Sequence, residues 1–279
     1  MEMRSYSEQV RRYLIIGNYS SHTIKSYVCQ VRHALDQIGG PPESWTSEDI
    51  RQYLYYLRTE RGCGPATLNQ AYSAIKILHV GVLGRSWDGL TLPRSRRNKR
   101  LPQVLSVDEV KRLLGALKNL KHRVILQLLY TSGLRLGELI QLKLTDIDSK
   151  RMQVRVEQGK GRKDRYTLLS QKTLEQLRDY YRYYHPRQWL FEGWCPGKPY
   201  SRRSVQNVFQ RAKKKAGINK PASVHTLRHS FATHLLDAGV DIVTLRDLLG
   251  HRSITTTMRY VRLRSRQLEG HDHPLDALL

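Results

Sequence analysis

The chain has 279 residues, 39% of them hydrophobic, with 48 Lys and Arg against 24 Asp and Glu, a formal charge of +24. That is apolar material enough for one large core or two ordinary ones, which excludes wholesale disorder, and the cationic excess sets up a field that draws in polyanions, nucleic acid first among them. No apolar run approaches the roughly 20 residues of a bilayer span, "MEMRSYSEQVRRYL" holds no signal-peptide core, and Cys29, Cys63 and Cys195, far apart and outside any CxxC pair, argue against disulfides or a zinc finger and fit a reducing cytoplasm.

Four helices are expected in the first 92 residues. "SEQVRRYLIIG" ends at Gly17, and "SHTIKSYVCQVRHALDQIG" places Ile24, Tyr27, Val28, Val31 and Leu35 at helical spacing. "TSEDIRQYLYYLRTERG" opens with Ser47 and acidic residues in its first turn, a helix start. "GPATLNQAYSAIKILHVGVLG" follows, with Pro65 early and Thr67 available as a cap; Tyr53, Tyr55 and Tyr56 read as core and groove aromatics. A small helical bundle follows from this pattern.

Residues 93–103, "PRSRRNKRLPQ", carry Arg94, Arg96, Arg97, Lys99 and Arg100, no acidic side chain and a proline near each end. That is a linker composition whose charge suits a phosphate backbone. Beyond it, Ser106 and Glu109 form a capping-box pattern in "LSVDEVKRLLGAL". "HRVILQLLYTSG" reads as a buried helix ending at Gly133, and "LRLGELIQL" as a short one. The period then changes: "LKLTDID", "MQVRVEQ" and "RYTLLS" read as three short strands, the last two joined by "GKGRKD". Helices are expected again over about 171–184, 201–216, 225–238, 241–249 and 254–262, with Arg202, Arg203, Lys213 and Lys214 on a basic face suited to DNA. The fold class is mainly α with a small three-stranded antiparallel sheet. Its domains are a helical unit (1–92), a basic linker (93–103) and a second, mainly helical unit (104–279).

"SVHTLRHSFATHLLDAG" puts His225, Arg228, His229 and His234 on one helix, and histidines this dense raise the question of a metal. At about 100° per residue, Arg228 and His229 fall within about 60° of His225, whereas His234 falls about 180° away. Three histidines therefore cannot share one ion from this helix. His225 and His229 lack the glutamate of HExxH, and Arg228 would place a permanent cation beside the metal. No metal or other cofactor is expected. A histidine and an arginine three apart on one face instead grip a phosphate, and His229 and His234 read as packed or hydrogen-bonded helix histidines.

Further groups of that kind recur. "TSGLRLGEL" presents Arg135 just after a glycine break, "EQGKGRKDR" presents Lys160 between two glycines at a hairpin tip, and "LLGHRSITTTMRY" presents His251 after Gly250 with Tyr260 nine residues on. Arg135, Lys160, "HTLRH", "LGH" and Tyr260, in this order, resemble the tyrosine recombinase (phage integrase) family, over the whole chain.

The resemblance implies an N-terminal core-binding domain and a C-terminal catalytic domain that together close as a C-shaped clamp on double-stranded DNA. It implies a metal- and ATP-independent strand transferase working through a 3′-phosphotyrosine and a Holliday junction. Tyr260 is then the nucleophile and Arg135 and Arg228 the phosphate clamp. Lys160, with Lys163 as rival in the same loop, is the general acid, His225 assists proton transfer, His251 bonds a phosphate oxygen, and Glu138 supports the site. Chemically this is coherent: a free tyrosine has a pKa of about 10, nearby cations favour its phenolate, and fixed cations can stand in for a metal ion.

A mobile-element integrase is the favoured role. "HPLDALL" and "GINKPASVHTLRHSFATHLL" resemble integron integrases, although the segment between "YTLLS" and "KPYSRRS" is shorter than theirs. Xer-type chromosome-dimer resolution is the alternative; a type IB topoisomerase or a non-catalytic DNA-binding protein is further off. The expected assembly is a homotetramer on DNA, or a hetero-tetramer with a second recombinase, joined by the tail after Tyr260. The expected location is the cytoplasm, on the nucleoid and away from membranes.

Overall fold

The computed structural model describes residues 2–87, 94–95, 102–157, 164–195 and 197–267, with side chains from 5 to 261. The chain forms two units, Met1–Lys99 and Arg100–Leu279. Among the described residues no helix is long and apolar enough to cross a membrane.

The first unit is a bundle of α1 (Glu2–Ile16), α2 (Ser21–Ile38), α3 (Ser47–Thr59) and α4 (Pro65–Lys76). Each start has a local cause. Ser20 caps α2 by accepting from Thr23 N, Thr46 and Asp49 close a capping box on α3, and Pro65 sits in the first turn of α4. α3 opens at Ser47 as expected, behind the cap Thr46, and Gly64 rather than Thr67 stands at the head of α4. Val10, Leu14, Val31, Leu35, Ile50, Leu57 and Ile75 fill the core. Tyr53 is buried with its hydroxyl on His33 Nδ1 (2.9 Å), whereas Tyr55 is exposed. The helix read as continuous through residue 84 changes geometry at Ile77–Val82, a π-helical turn where the Tyr13 ring lies on Gly81. A Cβ on Gly81 would come within 2.5 Å of Tyr13 Cζ.

The second unit comprises α5 (Val107–Gly115), α6 (Leu120–Thr131), α7 (Leu136–Leu139), the strands β1 (Ile147–Asp148), β2 (Gln153–Val156) and β3 (Arg165–Leu168), then α8 (Gln171–Tyr184), α9 (Arg202–Lys215), α10 (Val224–Asp237), α11 (Ile242–Leu249) and α12 (Ile254–Gln267). The sheet runs β1-β2-β3, antiparallel throughout, with Ile147 opposite Val154 and Val154 opposite Thr167. Residues 124–129 of α6 are all buried, so that helix is wrapped on every side.

Two expectations need correction. "LKLTDID" is strand only at its last two residues. Leu144–Asp146 form a 3₁₀ turn, because the buried Asp146 carboxylate accepts from Lys143 N (2.8 Å) and Arg155 Nε (3.3 Å). The last helix runs to Gln267, beyond the expected 262. β3 also faces opposite to its hydropathy: Arg165 and Thr167 point inward, while Tyr166 and Leu168 are exposed.

Residues leading into α5 are tied to α10. Leu105 is fully buried and its N–H donates to Ser230 Oγ (2.9 Å), which itself donates to Thr226 O (2.9 Å). His234, on the same helix, hydrogen-bonds the Leu105 backbone and the Tyr130 hydroxyl (2.8 Å).

Candidate active site

α10 opens with Ser223 N donating to Thr226 Oγ1 (3.0 Å), a start that orients its first two turns. His225, Arg228 and His229 lie on that part of the helix. Arg228 is only 4% exposed and is fixed by what it donates to: Nη1 to Gly133 O (2.6 Å), Nη2 to Leu249 O (2.6 Å) and Nη2 to His251 Nε2 (3.1 Å). Both carbonyls lie at glycine breaks. Gly133, at φ +59°, ends α6 against Phe231, and a Cβ there would sit 2.3 Å from Phe231 Cδ1. Gly250, at φ +61°, ends α11 against Arg165, with only 2.6 Å for a Cβ. Only glycine combines that backbone with that clearance.

One carboxylate organises the cations. Glu138, in α7, accepts from Arg135 N (2.8 Å) and Arg135 Nη1 (2.6 Å) and takes a two-pronged bond from Arg165 (2.9 and 2.8 Å). Arg228 Nη1 lies 3.9 Å from it. Arg165 also donates to Leu248 O (3.0 Å), and Arg135 Nη2 reaches Gly250 O (3.4 Å). Burial alone would raise the Glu138 pKa. The Arg165 bond and charge, followed by Arg135, outweigh it and hold the group at about 2. Glu138 is therefore ionised at any ordinary pH.

Tyr260, on α12, is 1% exposed and packs among Phe231, Leu245 and Leu249. Its ring stacks on His251 (centroids 6.4 Å, planes 11° apart), and its hydroxyl meets His229 Nδ1 at 3.0 Å. His251 Nδ1 meets Thr257 Oγ1 at 2.9 Å. A guanidinium can only donate, so His251 Nε2 accepts from Arg228 and its proton resides on Nδ1, toward Thr257.

The electrostatics follow from burial beside cations. Burial first, then Arg228 and Arg135, lowers His225 and brings His251 down to about 3. Burial, then Arg259, His225 and Arg228, brings His229 to about 4. All three rings are neutral at pH 7. Arg228, pulled down to about 9 by burial and Arg135, keeps its charge. Burial raises Tyr260, against the downward pull of Arg228, Arg259 and Arg135. The result is an anion-seeking cluster of guanidinium groups whose neighbouring imidazoles are uncharged.

Of the residues singled out by sequence, Arg135, Glu138, His225, Arg228, His251 and Tyr260 are brought together. Lys160 and Lys163 lie outside the described residues, as do Arg96, Arg97, Lys99, Arg100 and the tail 268–279. Arg94 is exposed and stacks over Tyr72 (5.3 Å). On α9, Arg202, Arg203 and Lys214 are exposed and Lys213 is half-buried, and the Arg202 guanidinium lies on Gly137, inside α7. Sequence reasoning missed Arg165, Thr257 and the hydroxyl contact of His229. For Arg165 a signal was present: a charged residue alternating inward with Thr167 on a strand whose apolar side chains point out.

This arrangement can bind a phosphodiester between Arg135 and Arg228 beside a tyrosine hydroxyl. Comparison with known proteins points the same way. The Phage integrase family matches residues 103–267, and the Phage integrase N-terminal SAM-like domain matches residues 7–89. A putative integrase/recombinase of Sinorhizobium fredii is 43% identical over 264 residues, covering 94% of this chain and 86% of that protein. The tyrosine recombinase XerD of Halalkalibacterium halodurans is 32% identical over 283 residues, covering 91% and 92%. Lambda integrase, solved as a dimer bound to a core site, superposes with a TM-score of 0.74 at 20% identity, over 92% of this chain and 94% of that one.

Proposed function

The chain belongs to the phage integrase family of tyrosine recombinases, and on that premise we propose that Tyr260 attacks the scissile phosphate of a specific DNA site to give a 3′-phosphotyrosine. The observation that carries this is the contact chain from Tyr260 through the stacked His251 to the buried Arg228. Arg135 and Arg228 hold the non-bridging oxygens, where negative charge builds in the transition state. Glu138 and Arg165 hold the clamp: the carboxylate fixes Arg135, and Arg165 fixes the carboxylate. Lys160 supplies the proton to the departing 5′ oxygen.

His251 donates to a phosphate oxygen only after its proton passes to Nε2. Thr257 permits that exchange, because a hydroxyl accepts in one tautomer and donates in the other. At 1% exposure Tyr260 reaches a phosphodiester only when its side chain or α12 shifts. Residues 1–92 bind DNA as a separate unit, 93–103 track the backbone, and Arg202, Arg203, Lys213 and Lys214 contact phosphates. Four copies joined by their tails carry out synapsis, and the favoured setting is movement of a mobile element.

A nicked duplex carrying the native site, from which the 5′ product diffuses away, traps the adduct. Wild-type protein gives a covalent complex that survives detergent and EDTA. Tyr260→Phe binds the same DNA and gives none. A Tyr260→Phe adduct, or wild-type cleavage lost to EDTA and restored by magnesium, overturns the reading.

A further inference from the structure

His229 is left unused by the roles above, yet its side chain meets the hydroxyl of the nucleophile. Its Nδ1 lies 3.0 Å from Tyr260 Oη, with the rings tilted at 5.7 Å. His225, the histidine expected to assist proton transfer at the nucleophile or the phosphate, lies one turn earlier on α10, in the field of Arg228 and Arg135. The charged and titratable groups around His229 are Arg259, His225 and Arg228, with no carboxylate among the causes of its depressed pKa. The ring is therefore neutral, and a neutral imidazole has one bare nitrogen. Nδ1 faces a hydroxyl that must lose its proton for the reaction to start.

We propose that His229 is the proton acceptor for Tyr260 in strand cleavage and returns that proton in strand joining. This rests on Tyr260 being the nucleophile. In cleavage, the Oη proton passes to Nδ1, the freed lone pair forms the Oη–P bond, the P–O5′ bond breaks, and the departing oxygen takes a proton from the general acid. In joining, the 5′ hydroxyl returns its proton to the general acid and attacks the phosphorus, the P–Oη bond breaks, and Oη recovers its proton from His229. The bound phosphate itself prepares the transfer. Its negative charge, seated between Arg135 and Arg228, offsets the cations that keep His229 from accepting a proton beforehand. Imidazole is thus idle until DNA is in place.

The full-length chain, His229→Ala, His229→Gln and Tyr260→Phe are compared for DNA binding by gel shift and for single-turnover adduct formation on the nicked duplex. Glutamine keeps a hydrogen-bond acceptor for the hydroxyl but takes up no proton. Both His229 variants should bind DNA as wild type does and cleave on the order of 10²-fold more slowly. A substrate with sulfur in place of the bridging 5′ oxygen, whose leaving thiolate needs no proton, should leave both defects unrelieved. Cleavage by His229→Gln within fivefold of wild type would show a holding role and overturn the proposal. So would rescue by the sulfur substrate, which would place His229 at the leaving group. If His229→Ala fails to fold, His229→Gln decides alone. An adduct formed by Tyr260→Phe removes the nucleophile assignment itself, a result separate from either.

Discussion

Glu138→Gln tests how the cation cluster is held. The Glu138 side chain is 9% exposed and accepts four hydrogen bonds from Arg135 and Arg165, with Arg228 at 3.9 Å. The amide has one accepting oxygen, and its NH2 would point hydrogens at a guanidinium. Three guanidinium groups would then lack their common counter-charge. A carboxyl moved from 4.5 to about 2 by folding stabilises the native state by roughly 3 kcal/mol at neutral pH. Because the folded value is the lower one, that stabilisation is complete above about pH 4.5 and is lost as pH falls toward 2. Urea unfolding followed by far-UV circular dichroism should show the variant roughly 3 kcal/mol less stable between pH 5 and 8. The gap should narrow progressively below pH 4.5. A gap under about 1 kcal/mol, or one unchanged down to pH 2.5, would refute the argument that the carboxylate's charge holds the site together.

Gly133→Ala should cost about 1–3 kcal/mol in thermal or urea unfolding, since it forces a Cβ into left-handed backbone against Phe231. Thr257→Val removes the hydroxyl that lets His251 exchange tautomers; adduct formation should slow by about tenfold with binding intact, and nitrogen-15 shifts of His251 on DNA read the tautomer directly. His229 and His251, at about 4 and 3 against 6.5 unfolded, are protonated more readily in the unfolded chain. Native stability should therefore fall as pH drops from 6.5 toward 3, and NMR titration of the free protein should find neither ring charging between pH 5 and 8. With +24 overall, DNA affinity should drop by about 10³-fold or more between 50 and 200 mM salt if six or more phosphates are contacted.

Helices announced themselves through local signals: period, caps and glycine stops all lie within a few residues of what they determine. The capping box at Ser106 and Glu109 was legible for that reason. Leu142 and Leu144 looked like an alternating strand because both are apolar, but the segment's shape is set by Asp146, whose partner Arg155 comes nine residues later. The wheel placed His229 on the face of His225 and Arg228 without revealing what that face meets. Tyr260 arrives from 31 residues downstream, and only packing of α12 on α10 brings it there. Arg165 is the same case: its partner Glu138 lies 27 residues earlier, and its value depends on a strand that turns its polar side inward.

The bond from Leu105 to Ser230 has a practical corollary for anyone dividing this chain. Composition alone would place the second unit's beginning anywhere in the basic stretch or just after it. The physical edge is set instead by a backbone amide that reaches 125 residues forward to the helix bearing His225, Arg228 and His229. A fragment starting at Ser106 would keep every helix described in the second unit, with Arg135, Glu138, Arg228 and Tyr260. It would leave Ser230 Oγ without its donor and open a leucine-sized void beside α10. A fragment of the second unit that keeps this tie therefore starts upstream of Leu105, and a residue outside the cation cluster helps decide how firmly α10 is held.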